Sequence, residues 1–393
     1  MKKMVSILTV VAMLVTLSFA LTGCGSTSTS TSGSTSTSAG EKVKIGVVMY
    51  GYTDEQGKST QEYCNYLAQN FNVEFVFEKT DYNDDAQISC VENLISAGCK
   101  AIISAYDTSL ESAIQTCESA GVYYVLALDY ASPSDANNVN SKYFLGGTKQ
   151  FGGDEAALGE AYAQAFLKSG LTNVSGVSFP AFAFVEATPI YQAFKDTITA
   201  ASNDTVSDLV YSSGFAAADV QTATASAIGQ DTQAIFGLAS GLDYVYPELT
   251  NNHPDVKLLA LGYNSSVGSL FDAGSLLAAG TNNYPQSIAS CFVRIMNALD
   301  GNSFSDADAG VYNQKDGDVN VVNGVASYPV FTDKDSLADF ETYALGRGTD
   351  GMAKGAVTAD EIKSVLLSEN ANATLADLNT LTNRTVAEIK AAR

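Results

Sequence analysis

From residue 42 onward the chain alternates short apolar runs with amphipathic stretches. Residues 43–50 (VKIGVVMY) read as a buried strand, 56–70 as a helix, 73–77 as a strand and 84–97 as a helix. The segments 101–104, 110–120 and 122–128 continue as strand, helix and strand. Apolar runs of about four to eight residues, separated by helices of about ten to fifteen, mark βαβ units. Such units build a parallel sheet with helices on both faces. The rhythm then repeats: after 143–147 come a helix over 154–169, a strand over 174–179, a helix over 189–201 and a strand over 206–211. A helix over 216–228, strands over 234–238 and 256–262 around a short helix at 244–250, and a strand near 278–280 complete the second set. The expected fold class is therefore α/β, with two similar doubly wound parallel-sheet domains.

The amphipathic stretch 284–299 would return the chain to the first domain. Residues 316–332 read as strands joined at Asn323 and Gly324, a strong turn signal. A helix is expected over 333–345. The tail from Thr358 holds two segments opened by capping-box patterns, Thr358 with Glu361 and Thr374 with Asp377.

The N-terminus follows another pattern. Met1, Lys2 and Lys3 precede an uncharged apolar stretch over 4–20, which ends at Leu21-Thr22-Gly23-Cys24. A positive start followed by an apolar stretch and small residues is a secretory leader and lies outside the fold. LTGC resembles the bacterial lipobox, in which cleavage before the Cys leaves a lipid-carrying first residue, here Cys24. Sixteen residues of Ser, Thr, Gly and one Ala follow as a tether. The expected division is 1–23 leader, 24–41 lipidated Cys and tether, 42–147 with about 284–322 first domain, 148–283 with about 323–346 second domain, and 347–393 helical tail.

Charge and scarce residue types narrow the chemistry. Loss of the leader removes two lysines and no acid, which moves the net charge from -22 to -24. Such a chain is a poor partner for nucleic acid or an anionic membrane surface. Its one His, His253, falls in the loop signal Asn251-Asn252-His253-Pro254-Asp255, so neither a Ser/His/Asp site nor a zinc site is indicated. No cofactor motif or metal set is recognisable. Beyond Cys24 there are Cys64, Cys90, Cys99, Cys117 and Cys291. Outside the cytoplasm a disulfide could form, Cys90 with Cys117 being the first pair to consider, and buried free thiols are the alternative.

Ligands of open parallel sheets bind beyond the carboxyl ends of the strands. The loops there hold Tyr50 and Tyr52, then Asp107, then Asp129 and Tyr130, in the first domain. The second domain offers Phe182, Ser240, Asn264 and Asn283. Ring faces can stack on the C–H surface of a sugar, while amides and carboxylates take its hydroxyls. Each ring could instead cover a domain edge.

These residues and their order resemble the type I periplasmic-binding-protein family, in particular the ribose/galactose-type sugar-binding proteins of ABC importers. The resemblance runs from about Lys42 to Asn302. It is carried by the opening strand to Met49, by Asn93-Leu94-Ile95-Ser96-Ala97-Gly98 and by Ala120-Gly121-Val122 leading to Asp129. Gly146-Gly147, Gln192-Ala193-Phe194, Ala234-Ile235-Phe236-Gly237, Leu261-Gly262-Tyr263-Asn264 and Tyr284-Pro285-Gln286 continue it. It implies two hinged domains joined by three crossings, with ligand held by Tyr50, Tyr52, Asp129, Asn264 and Asn283. Tyr130, Thr188, Ala239-Ser240 and Asn264 stand where the family pattern has Arg, Arg, Asn-Asp and an acid. Two missing Arg remove bidentate donors and favour a bulkier sugar, a nucleoside or another neutral polar ligand. A calcium loop at 313–318 is disfavoured, because Tyr312 occupies the place of its first carboxylate.

The function expected from this reading is that of a monomeric, lipid-anchored extracytoplasmic solute-binding protein that serves an ABC permease. A sensory receptor of the same fold that reports to a membrane kinase is the alternative. A carboxylate-based glycosidase is a more distant one, and no enzyme activity is expected.

Overall fold

The computed structural model describes residues 41–81, 83–105, 108–128, 141–149, 151–305, 314–316, 319–321 and 323–393. Cys24, Asp107, Asp129 and Tyr130 lie outside them.

The first lobe is β1 (Val43–Met49), α1 (Glu55–Asn70), β2 (Val73–Lys79), α2 (Gln87–Ser96), β3 (Ala101–Ser104), α3 (Leu110–Ala120) and β4 (Tyr123–Leu126). Its strands lie parallel in the order β2-β1-β3-β4. The apolar run of β1 serves both faces of this sheet. Ile45, Val47 and Met49 pack with Tyr63 and Leu67 of α1, whereas Val48 enters the opposite layer with Val91 and Leu94 of α2. Residues 143–147 contribute a bridge from Phe144 to Tyr124.

The second lobe follows β5 (Thr148–Lys149). It contains α4 (Glu155–Ser169), β6 (Asn173–Ser178), α5 (Ala187–Ala201), β7 (Thr205–Tyr211), α6 (Ala217–Ala227), β8 (Ala234–Gly237), α7 (Tyr246–Asn252), β9 (Lys257–Leu261), α8 (Val267–Asp272) and β10 (Leu276–Gly280). Its sheet runs β10-β9-β8-β6-β7 and gains an edge strand beside β10 from further along the chain. The order β7-β6-β8-β9 repeats the β2-β1-β3-β4 order of the first lobe, so both sheets present the carboxyl ends of corresponding strands.

The chain then forms α9 (Tyr284–Leu299), the pair β11 (Gln314–Asp316) and β12 (Val319–Val321), β13 (Gly324–Val325), β14 (Val330–Phe331) and α10 (Lys334–Asp339). Ile288, Phe292 and Ile295 of α9 lie in the first-lobe core, while β14 pairs antiparallel with β10 in the second lobe. Asn323 and Gly324 do not form a hairpin turn. β13 instead runs parallel to β5, and the buried Asn323 accepts the Gly147 N–H at 2.8 Å. Here a turn-type dipeptide was recruited to join two crossings, where its short amide reaches a backbone that a turn would have left to solvent. Arg294 of α9 reinforces the same place, donating to Leu145 O at 2.9 Å and Thr148 Oγ1 at 2.8 Å.

The tail forms α11 (Ala359–Val365), α12 (Leu375–Thr382) and α13 (Val386–Ala391). The boxes at Thr358 and Thr374 open the first two as expected, and a third, Thr385 with Glu388, opens a helix the sequence reading did not separate. The tail is part of the core: Val357, Ile362, Leu375 and Leu378 are buried in the first lobe. Glu361 staples it, accepting from Arg384 at 2.9 Å, from Arg393 at 2.7 Å and from the Thr358 N–H at 2.8 Å. Burial alone would raise this carboxyl, but the two guanidinium groups and the backbone N–H outweigh it and hold the pKa at about 2. A carboxyl depressed from 4.5 stabilises the fold above its unfolded value and loses that contribution as the pH falls toward 2. The contribution is about 3 kcal/mol at neutral pH. Urea unfolding should therefore show Glu361→Gln to be less stable than the parent at pH 7, with the two converging as the pH approaches 2. Curves that stay equally separated at every pH would refute this.

The five described cysteines are buried free thiols, so Cys90 and Cys117 are not joined. Both point into the α2–α3 layer with Leu94 and Ile114, where a thiol packs as a small apolar group.

Candidate functional site

A cavity of about 660 Å³ lies between the lobes, at the carboxyl ends of β1, β6, β8, β9 and β10. The first lobe contributes Tyr50 and the start of α1. Asp54 caps that helix by accepting the Gly57 N–H at 2.9 Å, and its other oxygen accepts the Tyr50 hydroxyl at 2.5 Å. Gly57 is required there, since a Cβ would lie 2.5 Å from Gly51 O and from the Tyr52 Cα. The loop can thus fold back on the helix and present Tyr50 and Asp54 to the cavity.

In the second lobe, Ser240 follows β8 with φ 46°, a left-handed conformation costly for a residue with a side chain. It starts a π-helical turn over Gly241–Val245 that brings Asp243 and Tyr244 to the cavity. After β9, Gly262 takes φ 131° and its N–H bonds Gly280 O at 2.7 Å, which turns Tyr263 and Asn264 toward the cavity. Asn264 donates to Asp243 Oδ1 at 3.0 Å and accepts from the Ser266 N–H at 3.0 Å, so its amide is fixed in orientation.

Aromatic rings make up much of the remaining surface. Phe151 packs against Phe184 at 5.6 Å and Tyr328 at 5.3 Å, and Phe179 and Tyr284 also line the cavity. Several phenols are already committed: Tyr263 donates to Glu341 at 2.8 Å and Tyr328 to Gly280 O at 2.7 Å. Burial, and then the Glu341 carboxylate, push the Tyr263 phenol up, so it stays neutral. These rings therefore offer faces more than hydroxyls. Among the described lining residues the single cation is Lys58, 3.5 Å from Glu55. Burial alone would raise the Glu55 carboxyl, but Arg347 at 2.6 Å, with Lys58, holds it below its ordinary value. Fixed amide and carboxylate edges beside ring faces, without a free guanidinium, suit a ligand with hydroxyls and C–H surface.

No protein-family model matches this chain, and no curated protein matches its sequence. Solved structures do match. A substrate-binding protein of a sugar ABC transport system from Bordetella parapertussis is 17% identical, with TM-score 0.58 over 76% of this chain and 91% of its own. An ABC transporter solute-binding protein from Agrobacterium vitis, bound to α-D-tagatopyranose, is 16% identical, with TM-score 0.58 over 75% of this chain and 96% of its own. A periplasmic solute-binding protein from Actinobacillus succinogenes with bound D-allose is 12% identical, with TM-score 0.58 over 76% and 100%. The chain has the type I periplasmic-binding-protein fold.

In this periplasmic-binding fold the cleft between the lobes receives three of the residues expected from the sequence: Tyr50, Ser240 and Asn264. Others stand elsewhere. Tyr52 turns into the first lobe, where its hydroxyl donates to Val47 O and Glu78 O at 3.0 Å each and its ring meets Phe77 edge-on. Asn283 is buried as the cap of α9, and its neighbours Asn282 and Tyr284 take the lining positions. Phe182 is 81% exposed and touches Phe215, and Thr188 bonds the Tyr211 hydroxyl; neither lines the cleft. Asp54 and Phe184, which stand in the loops expected at the crevice, line it as well, whereas Phe151, Asp243 and Tyr328 are lining residues that the sequence did not point to.

Proposed function

We propose that the chain is a lipid-anchored extracytoplasmic solute-binding protein that captures a small neutral polar ligand, a sugar or a related compound, and delivers it to an ABC permease. The observation that carries this reading is the interlobe cleft, which sets ring faces and fixed amide and carboxylate edges at the carboxyl ends of both sheets. Residues from both lobes line it. A ligand that makes both sets of contacts therefore favours the closed arrangement, because no open one offers both. The neighbours with bound tagatopyranose and allose support a sugar as cargo. We further propose that the protein acts as a monomer, held at the membrane by lipid on Cys24. No helix among the described residues is long and apolar enough to cross a membrane.

Charge points to the class of solute. Asp54, Glu55 and Asp243 outnumber Lys58 around the cleft. Anionic solutes would meet like charge without a bidentate donor. In this reading no chemistry is done on the ligand, since Asp54 is held by Tyr50 and Gly57 and Asp243 by Asn264.

A thermal-shift screen of neutral hexoses, pentoses and nucleosides against the matching hexuronates and nucleotides tests the reading. The expected result is a rise in melting temperature with at least one neutral solute, by RT ln(1 + [L]/Kd), and none with its anionic counterpart. A panel without any shift would overturn the binding reading. A shift with the anionic series alone would overturn the charge argument.

A further inference from the structure

The tail's contacts extend beyond the first lobe. Phe340, Ala344 and Leu345, which follow α10, are buried in the second-lobe core with Phe331. Two residues later the chain has reached the first lobe: Arg347 bonds Glu55 at 2.6 Å, Glu62 at 3.1 Å and Ser59 at 3.2 Å, all on α1. Glu55 is itself a cleft residue. After α11 and α12 have filled the first-lobe core, the chain runs along the crossings. There Thr382 Oγ1 donates to Val325 O at 2.7 Å, and Gln286 donates to Arg384 O at 2.9 Å.

α13 then touches both lobes at once. Ile389 is buried in the first-lobe cluster, whereas Val386 packs on the second-lobe cluster. Lys390 bonds both carboxylate oxygens of Asp339 at 2.8 Å, at the end of α10. Arg384 and Arg393, at either end of the helix, are fixed to Glu361 of α11. A tail that served only to complete the first-lobe core would have no need of the contacts with α10 and the second-lobe cluster. About three quarters of this chain already covers 91% or more of the sugar-transporter neighbours, so it carries length beyond their shared fold.

We propose that residues 347–393 are a strap that ties the two lobes together across the hinge and limits how far the cleft opens. Rotation of the lobes about the three crossings would separate Lys390 from Asp339 and Arg347 from Glu55 and Glu62. Exposed ion pairs are weak individually. Here they act together with Val386 and Ile389 on a short helix anchored at both ends, so they yield as a unit. Detachment of α13 from α10 is the step that releases the second lobe. This inference rests on the two-lobe fold and is independent of what the cleft binds.

Distance measurement between two spin labels tests it without a ligand. The labels sit on Glu118→Cys, exposed on α3, and Ser226→Cys, exposed on α6, in the full chain carrying Cys24→Ser, where the described native thiols are buried. The parent should give one narrow interlobe distribution. Val386→Asp with Lys390→Ala, which cuts the contact with the second lobe and spares the first-lobe core, should broaden it and add a longer-distance population. Truncation after Asn383 should do the same, and the double variant carries the test if the truncated chain does not fold. Lys363→Ala, which breaks an ion pair within α11, should leave the distribution unchanged. Superimposable distributions in parent and double variant would overturn the strap, even with a lowered melting temperature, because that is the result of simple core filling. Equal broadening by Lys363→Ala would overturn it as well.

Discussion

A Cys24→Ser chain is expected to leave the membrane fraction for the soluble one almost completely, while the parent chain sediments with membranes. The chain is strongly acidic, so its surface has little attraction for anionic lipid, and the Ser/Thr/Gly tract after Cys24 holds a single Ala and no larger apolar residue to insert. Attachment would rest on acyl chains, which bind at about 0.8 kcal/mol per buried CH2 and hold firmly when more than one is present. Removal of the thiol that accepts them removes the whole of this term. Fractionation after high-salt washing, followed by immunoblotting, reads the outcome, and a Cys24→Ser chain still pelleting with membranes would sink the lipobox assignment.

Phe236→Ala is expected to destabilise the second lobe by about 3–5 kcal/mol, the range for truncation of a buried ring. Phe236 sits in the central strand β8, fully buried, with Tyr162 stacked on it at 4.6 Å and Phe194 at 5.0 Å. α4 and α5, which carry these two rings, are fixed to the sheet and to each other, so the space left behind cannot readily collapse. With about 2–4 °C per kcal/mol for a domain of this size, calorimetry should record a fall on the order of 10 °C. A fall of only a degree or two would mean that the ring cluster repacks around the lost side chain.

The lipobox resemblance is local: the apolar N-terminal stretch, the small residues, Cys24 and the Ser/Thr/Gly tract are consecutive, and no folding is needed to read them. The strand and helix rhythm is local as well, because buried parallel strands such as Val43–Met49 must be apolar on both faces and amphipathic helices must repeat at their own period. Tyr50, Ser240 and Asn264 were legible as cleft residues because each follows a strand closely and so inherits its direction.

What failed depended on orientation or on long sequence separation. Tyr52 and Tyr50 lie two residues apart in one loop, yet one hydroxyl found buried carbonyls and the other found Asp54. Asp243 reached the cleft through a π-helical turn launched by a left-handed Ser240, a backbone choice no composition reveals. Asn323 and Gly324 carried a turn signal that lost to a parallel pairing with residues about 176 positions away, where Asn323 satisfies the Gly147 N–H.

The sequence by itself determined the apolar N-terminal stretch, the Ser/Thr/Gly tract, the two α/β repeats and the acidic, arginine-poor composition of the loops that follow the strands, because each follows from composition or short periodicity. Only the tertiary structure decided which rings face the cleft, that the cysteines stay apart, and that the tail crosses the hinge and holds both lobes. Those outcomes depend on where distant side chains meet, and contacts such as Arg347 with Glu55 or Lys390 with Asp339 exist only once both lobes are in place.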